Sequence, residues 1–180
     1  VGYSMGGPIS LLVWKRHPEL VDAMVLQATA LEWNATRSER NRWRVGHALG
    51  PVFRRLSTPR MIRFGLRKAI PRGHELSRFI PWIVGEIRRN DQWMVSEAGR
   101  AISQFDARDF APEVDVPTAF VLTTHDRLVP PHKQTAVAQA LRAEVIELHG
   151  DHLAPMQMPR EFSAATRRAV ASVQSRLTAE

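Results

Sequence analysis

Hydrophobic and polar positions divide the chain into three textures. In residues 1–32, Gly7–Arg16 reads as a helix with Ile9, Leu12 and Val13 on one face, and Val21–Thr29 is a largely apolar run of strand length. Continuous apolar strands between helices are typical of a parallel sheet covered on both faces. From Glu32 to about Phe110 the pattern turns helical and basic. Gly50-Pro51, Thr58-Pro59, Pro71-Arg72-Gly73 and Ile80-Pro81 punctuate it into short helices. Asn90-Asp91 is suited to cap a longer helix, along which Met94, Ala98, Ala101, Ile102 and Phe105 share one face. From Pro112 the alternation returns. Pro117–Thr123 is a buried strand, Pro131–Arg142 a helix, Glu144–Leu148 a short strand and Pro159–Leu177 a closing helix.

The order strand, helix, strand around a helical stretch predicts an α/β fold, a parallel sheet carrying a helical insertion. Residues 1–32 and 111–180 would form the sheet region and residues 33–110 the insertion, a cap or lid. A length of 180 residues, 44% hydrophobic with five Trp, is enough for a sizeable buried core. There are no internal repeats. The absence of Cys excludes disulfides and thiolate metal sites and fits a cytoplasmic setting. No apolar run approaches the ~20 residues of a membrane span, and no segment reads as a signal peptide.

Charge changes the picture of the insertion. Residues 34–108 hold 15 Arg and 1 Lys against 6 acids, a net +10, while the rest of the chain carries −3. Within 52–70, Val52, Phe53, Leu56, Met61, Ile62, Phe64, Leu66 and Ile70 interleave with Arg54, Arg55, Arg60, Arg63, Arg67 and Lys68. Such a segment suits either an anionic membrane surface or an apolar face over a site with its arginines in water; the second is the favoured expectation. No nucleic-acid motif accompanies the arginines, so nucleic acid is not an expected partner. Trp33, Trp43, Trp82 and Trp93 serve either a substrate pocket or internal packing.

Candidate chemistry sits at the strand ends, where groups collect in open parallel sheets. Gly2-Tyr3-Ser4-Met5-Gly6 has the G-x-S-x-G form of a nucleophile elbow, with the serine on a sharp strand-to-helix turn. Asp126 follows the strand ending at Thr123, and His152 follows the strand ending at Leu148. A serine hydroxyl is a weak nucleophile that needs a base within reach, and imidazole suits that task at neutral pH. A carboxylate must then fix the imidazole tautomer and stabilise the imidazolium. Glu32 is the rival acid and His149 the rival base, Asp151 reads as a turn residue, and His149-Gly-Asp-His152 lacks the further ligands of a metal site.

The order Ser4, Asp126, His152 and their contexts make the sequence resemble the capped α/β-hydrolase superfamily over essentially its whole length. Pro159 and Phe162 fit a pattern in that family's last segment, while Gln157 stands where many relatives carry an acid. The resemblance implies Ser4 as nucleophile, Asp126 as acid, His152 as base and the Met5 N–H as one oxyanion donor. It implies a serine hydrolase for small ester or similar acyl substrates, with no cofactor and no metal. A serine at this position argues against dehalogenase or epoxide-hydrolase chemistry, for which relatives carry Asp. The alternative is a non-catalytic module whose basic cap holds a partner or an anionic lipid. Only Val1, Gly2 and Tyr3 precede Ser4. The expectation is therefore an N-terminally truncated chain that lacks the second oxyanion donor and is poorly stable and nearly inactive alone.

Overall fold

The computed structural model describes residues 1–34, 36–56, 58–69, 75–90 and 92–178. Within those spans the side chains of residues 42, 46–47, 50–56, 69, 75–76, 92–93 and 95–96 lie outside the description. The expectations placed on Val52 to Leu56, Ile70, Pro71-Arg72-Gly73, Asp91 and the Trp93 side chain fall outside the described residues. The chain divides into two compact units, Val1–Trp33 with Phe105–Glu180, and Asn34–Gln104.

The first unit is an α/β sheet unit. Its strands are β1 (Gly2–Tyr3), β2 (Met24–Gln27), β3 (Thr118–Thr123) and β4 (Glu144–Leu148), in the spatial order β1-β2-β3-β4. All three pairings are parallel, with Tyr3 opposite Gln27, Gln27 opposite Val121 and Thr123 opposite Leu148. Its helices are α1 (Gly6–Arg16), α6 (Pro131–Ala140), the single turn α7 (Ala154–Gln157) and α8 (Pro159–Leu177). Every residue of β2 and β3 is buried, as a strand covered on both faces requires. Alternate side chains divide between two cores. Met24, Leu26, Phe120 and Leu122 pack with Leu11 and Trp14 of α1 and Val137, Ala138 and Leu141 beside α6. Val25, Ala119 and Val121 pack with Ile146 and Leu148 of β4 and Ala165, Ala169 and Val173 of α8. The alanines and valine of α8 recur at four-residue spacing and let the helix lie close on the sheet.

Two details of the sheet unit differ from the sequence expectation. The second strand spans only Met24–Gln27, because Val21 closes a 3₁₀ turn by donating to the Pro18 carbonyl and Ala28 takes a left-handed φ of 47°. The face of α1 toward the core is Gly7, Leu11 and Trp14, while Ile9 and Val13 are exposed. Gly7 decides that face, since its missing side chain lets the helix approach buried Thr29.

The second unit is helical: α2 (Arg37–Leu56), α3 (Pro59–Ala69), α4 (Ile80–Arg89) and α5 (Gln92–Gln104). The expected break at Gly50-Pro51 does not occur, and α2 runs through both residues. Pro51 removes one i→i−4 bond, a loss that a 20-residue helix packed on α5 absorbs. The start of α2 is a capping box: the Thr36 hydroxyl accepts from Glu39 N–H at 3.1 Å, and Thr36 N–H donates to the Glu39 carboxylate at 3.0 Å. Asn90 closes α4 instead of opening the next helix, its amide donating to the Glu86 carbonyl at 2.7 Å. Along α3, Ile62 and Leu66 are half-buried, whereas Met61 and Phe64 are exposed beside Arg60, Arg63 and Arg67. Among the described residues no helix is long and apolar enough to cross a membrane.

Phe120 is fully buried at the centre of the sheet. Its truncation, Phe120→Ala, is expected to cost about 3–5 kcal/mol, read as a shift of the denaturant midpoint; a shift below about 1 kcal/mol would show a loosely packed centre.

Candidate active site

Ser4 occupies the turn between β1 and α1 with a left-handed φ of 50°. For a residue with a Cβ that conformation costs roughly 1–2 kcal/mol, so the surrounding structure has to hold it. Ser4 N–H continues the sheet ladder to the Gln27 carbonyl at 2.9 Å, and the Ser4 carbonyl accepts from Gly7 N–H at 3.0 Å. Tight packing enforces the same turn. A Cβ on Gly2 would lie 2.4 Å from the Gly6 carbonyl oxygen, and one on Gly7 would lie 2.3 Å from the Thr29 hydroxyl. A Cβ on Gly6 would meet nothing within 4 Å. The close approaches in Gly2-Tyr3-Ser4-Met5-Gly6-Gly7 thus fall on its first and last glycines. Met5 caps α1 with helical backbone angles. Its N–H belongs to the unpaired donor set at the helix start, beside the serine.

The loop after β3 carries Asp126, which is 2% exposed. Its Oδ1 accepts from Leu128 N–H at 2.8 Å and Val129 N–H at 2.9 Å. Its Oδ2 accepts from the Thr123 hydroxyl at 3.0 Å and from His152 Nδ1 at 2.8 Å. Gln134, fully buried on α6, donates to the Thr123 hydroxyl at 2.9 Å and the Val129 carbonyl at 2.7 Å. Burial by itself pushes the Asp126 carboxyl up. The hydrogen bonds from His152, Val129 and Thr123 and the imidazole charge outweigh it, and hold the carboxyl below the ordinary value.

His152 lies in the loop after β4. Its Nε2 is 2.8 Å from Ser4 Oγ, so one imidazole spans serine and carboxylate in a continuous line. Tyr3, immediately before the serine, donates its hydroxyl to the His152 backbone carbonyl. The Tyr3 ring lies 5.3 Å from the imidazole, tilted by 34°, and meets Phe162 of α8 edge-on at 5.7 Å. Burial first, then the charges of Asp126 and Asp151, push the Tyr3 phenol up to about 12. It remains a neutral donor at any working pH.

The rival residues are occupied elsewhere. Glu32 forms an ion pair with Lys133 at 3.0 Å. His149 Nδ1 is 3.2 Å from the Thr124 hydroxyl, which also meets His125 Nδ1 at 3.0 Å. Asp151 turns the loop by accepting from Leu153 N–H at 2.7 Å. Trp43 lies over Gly99 in the helical unit, and Trp82 is exposed. Among the described residues no group of three or more His, Asp or Glu could hold a metal ion. Sequence reasoning missed Tyr3, Thr123 and Gln134. Their proximity to Ser4 and Asp126 in the chain was the available signal.

A sequence model of the alpha/beta hydrolase fold matches residues 1–159. The chain belongs to the α/β-hydrolase family. A curated relative of the family, pyrrolizixenacetamide deacetylase of Xenorhabdus hominickii, is 26% identical over 166 residues, covering 90% of this chain and 61% of its own length. An esterase of Exiguobacterium antarcticum superposes with a TM-score of 0.78 at 17% identity, over 95% of this chain and 65% of that one. The enol-lactonase of Burkholderia xenovorans LB400 superposes with a TM-score of 0.72 at 21% identity, over 94% and 64%. The α/β-hydrolase chain described here therefore spans less than two thirds of the length of these relatives.

Two outcomes follow for stability. Gly7→Ala and Gly2→Ala are expected to lower the melting temperature well below that of Gly6→Ala; equal effects would contradict the packing of the turn. Because the Asp126 carboxyl ionises below 3.8 in the folded state, the stability it contributes is complete above that pH. It is lost as pH falls through the lowered folded value. Between pH about 6 and about 2 the wild type should therefore lose more stability than Asp126→Asn. Parallel curves would show that Asp126 is not held in its charged form.

Proposed function

We propose that this α/β-hydrolase chain carries the reacting groups of a serine hydrolase for carboxylic esters or similar acyl compounds. The observation that carries the reading is the line from buried Asp126 Oδ2 through His152 to Ser4 Oγ, with 2.8 Å at each step. The relatives named as an esterase, an enol-lactonase and a deacetylase support acyl chemistry of this kind.

Asp126 accepts from His152 Nδ1–H, which leaves the Nε2 lone pair facing the serine. As Ser4 Oγ bonds to the acyl carbon, Nε2 takes the hydroxyl proton and the carbonyl electron pair moves onto oxygen. That oxyanion accepts from Met5 N–H at the start of α1, where the helix dipole favours negative charge. Collapse of the tetrahedral species breaks the bond to the leaving group, which takes the proton from Nε2. The acyl-enzyme on Ser4 then reacts with water, with His152 again accepting and returning one proton. The products are the acid, the released alcohol or amine, and the free serine.

A fluorophosphonate probe is expected to label the protein at Ser4, and Ser4→Ala to remove both the adduct and p-nitrophenyl ester hydrolysis. Asp126→Asn should lower kcat by on the order of 10⁴, the loss seen when the imidazole tautomer is no longer held. No adduct on Ser4, or equal ester hydrolysis by Ser4→Ala, would reject the mechanism in favour of a binding module.

A second reading concerns the helical unit alone. Phe64 and Met61 are 68% and 53% exposed on α3, among Arg60, Arg63, Arg67 and Lys68 with no acid on the helix. Contact with an anionic lipid surface fits that pattern. Binding to anionic vesicles should then weaken as salt rises, and salt-independent or absent binding excludes it.

A further inference from the structure

We propose that Tyr3 is a positioning residue for His152, acting through its hydroxyl, with Phe162 as its brace. The inference rests on the reading of Ser4, His152 and Asp126 as a catalytic line. Asp126 fixes only one edge of the imidazole, through Nδ1. A ring held at one atom and attached to a loop can still swing about that bond and about its own Cβ. The backbone of His152 needs a second point of attachment if Nε2 is to stay on Ser4 through repeated proton transfers.

Tyr3 supplies that point. Its hydroxyl donates to the His152 carbonyl, joining residues 149 positions apart in the chain. Because Tyr3 is the neighbour of Ser4 on β1, the same bond ties the base's main chain to the strand that carries the nucleophile. Its ring also lies against the imidazole at 5.3 Å and is itself met edge-on by Phe162 at 5.7 Å, a favourable aromatic geometry. Phe162 packs in the core formed by Val25, Val121, Ile146 and the α8 alanines. The chain of contacts therefore runs from the sheet core through Phe162 and Tyr3 to His152. Asp126 from the loop after β3 meets the imidazole at Nδ1, and the charges of Asp126 and of Asp151, on the loop of His152, act on the Tyr3 phenol. His149 faces Thr124 and His125 instead. The phenol stays protonated, so the clamp does not switch during turnover.

The test is Tyr3→Phe, which keeps the ring against His152 and Phe162 and removes only the donor. Labelling by a fluorophosphonate is followed in two ways, as the fraction of protein finally labelled and as the rate per labelled site. Steady-state ester hydrolysis is measured beside it. The final labelled fraction and KM are expected to stay at the wild-type level, while the labelling rate and kcat fall about three- to tenfold, the worth of one net hydrogen bond. Phe162→Leu, which leaves the hydroxyl and removes its brace, should lower the rate less. Wild-type rates per site in both variants would overturn the proposal. A fall in the labelled fraction and melting temperature with an unchanged rate per site would do the same, since that is a purely structural role. Failure of wild-type Ser4 to label at all would instead remove the hydrolase reading, and this inference with it.

Discussion

The parallel hydrogen bonding that joins β1, β2, β3 and β4 sets the level at which three loops leave the sheet, and the site exists because those levels agree. The ladder does not stop at the strand ends. Ser4 N–H continues it to the Gln27 carbonyl, Thr124 N–H to Leu148 and His125 N–H to Gly150. Each bond carries the pairing one or two residues into a loop, and each of those loops holds one of the three polar groups. In a parallel sheet all strands point the same way, so groups placed just past their carboxyl ends arrive on one edge. A slip of one residue in β3 would move Asp126 along the strand and turn the alternate side chains to the other face.

Local costs at this edge are offset by neighbours. Ser4 holds a strained backbone because Gly2 and Gly7 let α1 close onto the turn and onto Thr29. Asp126 is buried with a full set of partners, and the pull of those partners exceeds the penalty of burial. Gln134 extends the network one layer deeper, bonding both Thr123 and the Val129 carbonyl from α6. A buried polar network satisfied at every member is rigid, which suits a carboxylate whose task would be to hold an imidazole. The helical unit has a different character. Two of its helices, α2 and α3, begin at the side-chain caps Thr36 and Thr58, and the unit carries most of the arginines.

Much of the sheet unit was legible in the sequence because burial on two faces leaves a plain signal. Thr118–Thr123 stands where an apolar run behind Pro117 puts it, and Glu144–Leu148 and Pro159–Leu177 also stand where the sequence reading placed them. Order and loop position also brought Ser4, Asp126 and His152 forward as candidates before any distance was known. The misreadings have physical causes. The core face of α1 is set by an absence, the side chain missing from Gly7, and a count of apolar residues does not register an absence. The continuity of α2 through Gly50-Pro51 reflects tertiary contact outweighing local propensity.

The sequence by itself determined the fold class, the family and the chemical types available at the strand ends. Periodicity, glycine placement and residue order are local or linear properties, and they survive in a one-dimensional reading. Only the tertiary structure decided that His152 faces Asp126 and leaves Glu32 to Lys133, and that Tyr3 and Phe162 meet behind the imidazole. Those choices rest on distances between residues well separated in the chain, 26 positions for Asp126 and His152 and 149 for Tyr3 and His152, and they are set by how parallel strands align and how α8 lies on the sheet. Nothing in the spacing of residues along the chain encodes them.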